Sequence, residues 1–142
     1  MNMTTRLAMV ALVAAGLLAV SAASPVGADP RGDLPDLSVV SIGYAYNSDC
    51  SSISSINSVF QNSGAADAGP FSVRFFIDTH AIRTFFFAGL AAGTLTHTRP
   101  FAVSPPQPFT GDHTISVALD FGNHVVESDE TNNTLSSAFT CQ

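Results

Sequence analysis

The sequence predicts an all-β protein, an antiparallel β-sandwich of about seven strands and of the size of an immunoglobulin-like domain, preceded by a cleaved signal peptide. Three observations carry this: apolar residues recur with a two-residue period in short runs, Gly, Asn, Asp and Pro clusters separate those runs, and no stretch shows a convincing helical period. The length agrees. Removing 28 of the 142 residues leaves 114, close to the ~100 residues of one such sandwich.

The first 28 residues read as the signal peptide. One positive charge at Arg6 precedes an uninterrupted apolar run from Leu7 to Val20, and small residues follow to Ala28. The run is shorter than the ~20 residues that cross a bilayer, and no basic stop-transfer cluster follows it. Cleavage is expected before Asp29, with Ala23 as the alternative, and residues 29–34 form a Pro, Gly and Asp-rich lead-in to a domain spanning 35–142. That domain and its lead-in hold four arginines and no lysine against nine aspartates and two glutamates, formally −7. Nucleic acid and anionic membrane surfaces reward clustered positive charge, so both are poor partners for this chain. Two cysteines, Cys50 and Cys141, reach an oxidising compartment together, and a single disulfide between them is the economical reading.

Along the domain, Leu37 and Val39 begin a first strand that runs toward Ile42 and fades near Asn47. Ile53 to Gln61 alternates around Ile56 and Phe60 and ends in the turn signal of Asn62, Ser63 and Gly64. Phe71, Val73, Phe75 and Ile77 share one face of the next strand, with Ser72, Arg74 and Phe76 on the other. Ile82 to Leu90 contains Phe85, Phe86 and Phe87 in succession, and a strand must send at least one of these rings to the opposite side from its neighbours. Core packing is the plainer reading of the run; an exposed aromatic contact patch is the sharper one. Thr94 to Val103 is expected as a further strand with Leu95 in or near the core. Pro105, Pro106 and Pro108 then form a stiff connection that cannot be a central strand. Ile115, Val117 and Leu119 line one face of the strand from His113 to Asp120. In the last strand, Thr134 to Cys141, Leu135, Phe139 and Cys141 share a side, so Cys141 faces inward.

The densest chemistry lies between those last two strands. Asp120, Glu127, Asp129 and Glu130 place four carboxylates within eleven residues, with Asn123, Asn132 and Asn133 adding amide oxygens. Calcium takes six to eight such oxygens, so these four acids are the candidate calcium ligands. The structural alternative is that Asp and Asn side chains bond to nearby backbone, adopt left-handed conformations and fix the turn. Four histidines, His80, His97, His113 and His124, form no close ligand pair and are expected at the solvated surface or at strand edges. No Gly-x-Ser-x-Gly elbow and no glycine-rich phosphate loop occurs, so neither a serine hydrolase nor a nucleotide enzyme is indicated. Arg31, Gly32 and Asp33 spell a tripeptide that some adhesive ligands present, a weak match within the lead-in, and Asn132-Asn133-Thr134 has the form of a glycosylation sequon.

The acidic stretch also resembles the closing signature of the CARDB family, the cell-adhesion-related domain found in bacteria, which runs approximately D-x-x-N-x-V-x-E-x-[DN]-E-x-N-N. The matching residues are Asp120, Asn123, Val126 (one place from its usual spacing), Glu127, Asp129, Glu130, Asn132 and Asn133. Pro35-Asp36-Leu37 and Asn62-x-Gly64 add support, while the cysteine pair and the proline-rich insertion depart from the pattern. The resemblance implies a secreted antiparallel immunoglobulin-like β-sandwich, a non-catalytic module at the cell surface or in the medium, expected to recognise an extracellular protein or glycan as a monomer. No cofactor other than calcium is expected, and Phe85, Phe86 and Phe87 are the candidate contact residues. A structural spacer is the alternative, and an unrecognised secreted hydrolase a third reading.

Overall fold

The computed structural model describes residues 33–105 and 109–142. The signal peptide, most of the lead-in with Arg31 and Gly32, and the middle of the proline-rich connection lie outside the described residues. Eight strands follow in order: β1 (Leu37–Tyr46), β2 (Ile53–Asn62), β3 (Phe71–Ile77), β4 (His80–Phe87), β5 (Leu95–His97), β6 (Phe101–Val103), β7 (Gly111–Leu119) and β8 (Thr134–Cys141). They build two antiparallel sheets. In the first, β2 is flanked by β1 on one side and by the short β5 and β6 on the other; the second has the order β4-β3-β7-β8.

Alternation decides which side chains meet between the sheets. Leu37, Ile53, Ile56 and Phe60 from the first sheet face Phe71, Val73, Phe75, Ile77, Ile115, Val117 and Leu119 from the second, all buried. Burying a large apolar side chain is worth roughly 1.5–3 kcal/mol, so this two-residue pattern is the main source of the fold's stability. Aromatic rings pack against one another in the core: Phe60 meets Phe87 edge-on at 5.0 Å, and Phe75 meets Phe101 the same way at 5.0 Å. Edge-to-face contact sets the positive rim of one ring against the negative face of the other.

Two devices tie the sheets together along the β1 and β8 side. Cys50, in the loop before β2, is bonded to Cys141 at the end of β8, with Cα atoms 5.9 Å apart and a sequence separation of 91. Beside it Tyr44 and Tyr46 pack on Phe139, and the Tyr44 hydroxyl donates to the carbonyl of Ala138 at 3.1 Å.

Two expectations are corrected. The segment from Thr94 to Val103 is two short strands, because Thr98, Arg99 and Pro100 interrupt the ladder. Thr98 turns inward, exchanging hydrogen bonds with Ser58 at 3.0 Å in both directions, and Pro100 has no N–H to offer a partner strand. Leu95 is 61% exposed rather than in the core. Its cross-strand partner is Gln61, while Thr96 stands opposite the buried Phe60, so the register sends Leu95 to the outer face.

Candidate functional site

At one end of the sandwich, the three short motifs of the sequence meet. The chain leaves β7 through a tight turn in which Asp120 and Asn123 both take left-handed backbone conformations, φ 40° and 52°, and the Asn123 N–H donates to the Asp120 carbonyl at 2.7 Å. Asp and Asn tolerate this region better than other side chains, as the structural reading of the turn expects. The Asp120 carboxylate, buried, turns back to accept the N–H of Val125 at 2.8 Å. Val125 is therefore the valine that enters the core at 7% exposure, and Val126, the residue matched from the sequence, is 72% exposed.

Two residues on, Glu127 points inward and crosses to the other sheet. One carboxylate oxygen accepts the backbone N–H of Leu37, and the other accepts the side-chain amide of Asn133 at 3.0 Å. Ser128 N–H donates to the carbonyl of Pro35, and the Asn132 amide donates to the Asp36 carboxylate at 2.8 Å. Asn62 completes the arrangement from β2: its carbonyl oxygen accepts the N–H groups of Asp36 and Gly64, and its amide donates to the carbonyls of Ala66 and Leu90. Gly64 must lack a side chain, since a Cβ there would overlap the backbone of Leu34, Pro35 and Asp36. Pro35-Asp36-Leu37, Asn62-x-Gly64 and the acidic stretch thus form one clasp on the first strand.

The four candidate calcium ligands have separate tasks in it. Asp129 Oδ1 accepts the N–H and hydroxyl of Thr131 at 2.8 and 2.6 Å, and a Glu130 oxygen accepts the N–H of Glu127 at 3.0 Å. Asp120 and Glu127 face inward while Asp129 and Glu130 are exposed. Among the described residues, no group of three or more His, Cys, Asp or Glu is placed to hold a metal ion. Burial raises the Glu127 pKa to about 7 against the pull of its hydrogen bonds from Leu37 and Asn133, with Glu130 and Asp120 adding like-charge repulsion. The hydrogen bonds that Thr131 gives to Asp129 hold that carboxyl below its ordinary value.

Three of the histidines, His80, His97 and His124, are exposed as expected, and His113 departs from that reading. Its Nδ1 lies 3.0 Å from the Asp78 carboxylate, while Nε2 is buried without a partner and the ring packs against Phe109 and Phe139. This hydrogen bond holds the Asp78 carboxyl below its ordinary value.

The phenylalanine run is divided by the pleat of β4. Phe85 and Phe87 turn inward onto Phe75, Phe101, Phe60 and Phe71, whereas Phe86 stands on the outer face at 85% exposure. The three-residue contact patch contracts to Phe86. Beside it a cavity of about 460 Å³ is lined by Pro70, Phe71, Ser72, Phe86, Phe87 and His124. Sequence reading missed Phe121, which lies within the tight turn and stacks over the guanidinium of Arg74, 3.9 Å from ring centroid to carbon; its place in the signature's variable positions gave no signal.

Taken together, the two sheets and the acidic clasp define an immunoglobulin-like antiparallel sandwich. The chain belongs to the CARDB family, whose model matches residues 34–137. Among solved structures it is similar to the CARDB domain of a Pyrococcus furiosus protein in complex with di-metal ions. The identity is 22% and the TM-score 0.64, over 77% of this chain and 94% of that one. A domain of a candidate cell-surface protein from Methanosarcina acetivorans is similar at 24% identity and TM-score 0.64, over 77% and 93% of the two chains. Part of a Bifidobacterium adolescentis GH3 β-glucosidase also shares the fold, at 9% identity and TM-score 0.52, over 75% of this chain and 17% of the enzyme. No curated protein matches the chain.

Proposed function

We propose that this domain is an exported, non-catalytic binding module of the cell surface or medium, and that Phe86 is the centre of its contact face. The observation that carries this is the 85% exposure of Phe86 on a sheet whose core already has its aromatic complement. A large ring left in water gains nothing for the fold, and exposed apolar groups beside a cavity are the usual form of a recognition surface. The similarity to a candidate cell-surface domain supports the location.

Catalysis finds little support. The Asp78–His113 pair superficially suits a relay, but the far nitrogen of the imidazole is buried, the ring packs on Phe109, and no hydroxyl or thiol among the described residues bonds to that nitrogen. The di-metal ions of the Pyrococcus domain find little support in this chain: Glu127, Asp129, Glu130 and one oxygen of Asp120 accept hydrogen bonds within the clasp, and the buried second oxygen of Asp120 has no hydrogen-bond donor among the described residues. The second reading is a spacer without a ligand, favoured by the fact that the signature residues serve to hold β1 in place.

Saturable binding of the secreted chain to envelope preparations and extracellular matrix tests the proposal. Attachment that Phe86→Ala abolishes, in a protein that melts unchanged, supports the module; no attachment to any surface supports the spacer.

A further inference from the structure

The outer face of the second sheet carries a positive charge with no carboxylate partner among the described residues. Arg74 stands on β3 opposite Thr84 of β4, with Ser72 and Phe76 as its neighbours on that face. Its guanidinium lies on the Phe121 ring, and its Nε donates to the Thr84 hydroxyl at 3.2 Å. Those contacts occupy one flat side and one of five N–H donors. Among the described residues the terminal nitrogens have no hydrogen-bond partner, and they are not among the buried polar atoms. The ion pairs among the described residues are His113 with Asp78 and His124 with Asp120, so no carboxylate answers Arg74. An arginine stacked on a ring and anchored through Nε presents its remaining fork in a fixed orientation, suited to a planar carboxylate.

Phe86 lies on the same face. It follows Thr84 by two residues and stands opposite Ser72, which puts its attachment point about 7 Å along the strand from that of Thr84. The face therefore offers an exposed ring and an unanswered guanidinium, with the hydroxyls of Thr84 and Ser116 beside them already bonded to Arg74 and Ser136. The backbone it offers lies away from Arg74: β3 is paired on both sides, with β4 and β7, and on the Phe86 side the open edge is that of β4, so an added peptide strand would run about 10 Å from β3 and leave Arg74 beyond its ladder. A sugar needs no ladder, since it is held by hydroxyl groups and by the C–H side of its ring.

We propose, building on the binding-module reading above, that this face takes a polysaccharide of carboxylated sugars, with a uronate ring laid on Phe86 and its carboxylate in the fork of Arg74. The formal charge of −7 does not forbid an anion, because exposed charges are screened beyond about 8 Å at physiological salt. The nearest acid in sequence to Phe121, Asp120, turns inward to the N–H of Val125.

The test is calorimetric titration of the secreted chain with oligomers of galacturonate, glucuronate and mannuronate, with their carboxyl-reduced counterparts, and with polyglutamate. The expected result is saturable binding to at least one oligouronate. Phe86→Ala and Arg74→Gln should each weaken it tenfold or more, and Arg74→Lys should weaken it also because an ammonium cannot fork, all with melting temperatures unchanged. Equal binding of the reduced oligomer, equal or tighter binding of polyglutamate, or indifference to both Arg74 substitutions overturns the uronate assignment. If a neutral sugar or a peptide still binds through Phe86, the module reading survives without it. If none of these probes binds but envelope preparations do, the uronate assignment alone fails; if those also fail to bind, both fall.

Discussion

The carboxylate of Glu127 accepts the backbone N–H of Leu37, 90 residues earlier in the chain, at the point where the first strand enters the core. This bond secures an N–H that water cannot reach, and Asn133 holds the second oxygen. The arrangement carries a cost, because a carboxylate loses solvation on burial. Burial wins over the hydrogen bonds and lifts the Glu127 pKa to about 7 from 4.5. A carboxyl whose folded pKa exceeds its unfolded value binds more protons in the native state, so its contribution is fully present below about pH 4.5 and is lost as pH rises through about 7. Urea midpoints should therefore fall between pH 5 and pH 8, and Glu127→Gln should flatten that slope while lowering the midpoint at pH 5. A midpoint that rises over this interval in the parent protein contradicts the assignment.

Gly64 supplies a second test of the clasp. With no room for a Cβ against the backbone of Leu34, Pro35 and Asp36, Gly64→Ala must push the lead-in away from Asn62 or distort the turn. Overpacking of this kind costs roughly 1–3 kcal/mol, and denaturant unfolding should show it. Gly69, where a Cβ meets nothing within 4 Å, is the control: Gly69→Ala should leave the midpoint nearly unchanged.

Much of this architecture was legible because side-chain periodicity is local. Phe71, Val73, Phe75 and Ile77 announce their shared face without any knowledge of the partner strand, and so do Ile115, Val117 and Leu119. Leu95 was not legible. Its side follows from pairing with Gln61, a register set across the sheet. Val125 and Val126 are adjacent and chemically identical, and only the hydrogen bond from Val125 N–H to Asp120 selects which turns inward. The phenylalanine run announced that its rings must divide but not which one would be left outside, since that depends on Phe60, Phe75 and Phe101 arriving from other strands. The clasp itself was visible as three separate motifs; their convergence was a property of the tertiary structure alone.

Reducing the disulfide should weaken the domain without dissolving its sheets. Cys50 and Cys141 join the two sheets across 91 residues of chain, a loop length for which the chain-entropy model gives roughly 4–5 kcal/mol. Cys50→Ser combined with Cys141→Ser should lower unfolding free energy by about 2–5 kcal/mol, with far-ultraviolet dichroism still that of a β protein at low temperature. An unchanged midpoint would show that the Tyr44, Tyr46 and Phe139 cluster holds this side by itself.

Calcium gives a test of the acidic stretch that is independent of mutation. A site formed by Asp120, Glu127, Asp129 and Glu130 would have to draw oxygens from both inside and outside the clasp to one point, disturbing the bonds that Glu127 and Asp129 accept from Leu37 and Thr131, although Asp120 Oδ1 has no hydrogen bond among the described residues to lose. Binding to the native state alone raises stability by a known amount, about 2.7 kcal/mol at a hundred times Kd. Millimolar calcium should leave the melting temperature where chelator leaves it. A rise of several degrees, lost on Asp129→Asn, would restore the four acids as ligands.

Phe86 and Phe87 provide the sharpest contrast, since they are neighbours of one chemical type with opposite surroundings. Phe87 stacks on Phe71 at 5.4 Å and meets Phe60 edge-on, whereas Phe86 is 85% exposed. Truncating a core phenylalanine costs about 3–5 kcal/mol, while surface substitutions away from special features stay within about 0.5 kcal/mol. Phe87→Ala should therefore unfold at markedly lower denaturant, and Phe86→Ala should unfold with the parent. Because only the second variant leaves the fold intact, only its loss of attachment can be assigned to the contact face. If Phe86→Ala instead destabilises the domain as much as Phe87→Ala does, the ring is packed in solution and the outer face has lost its anchor.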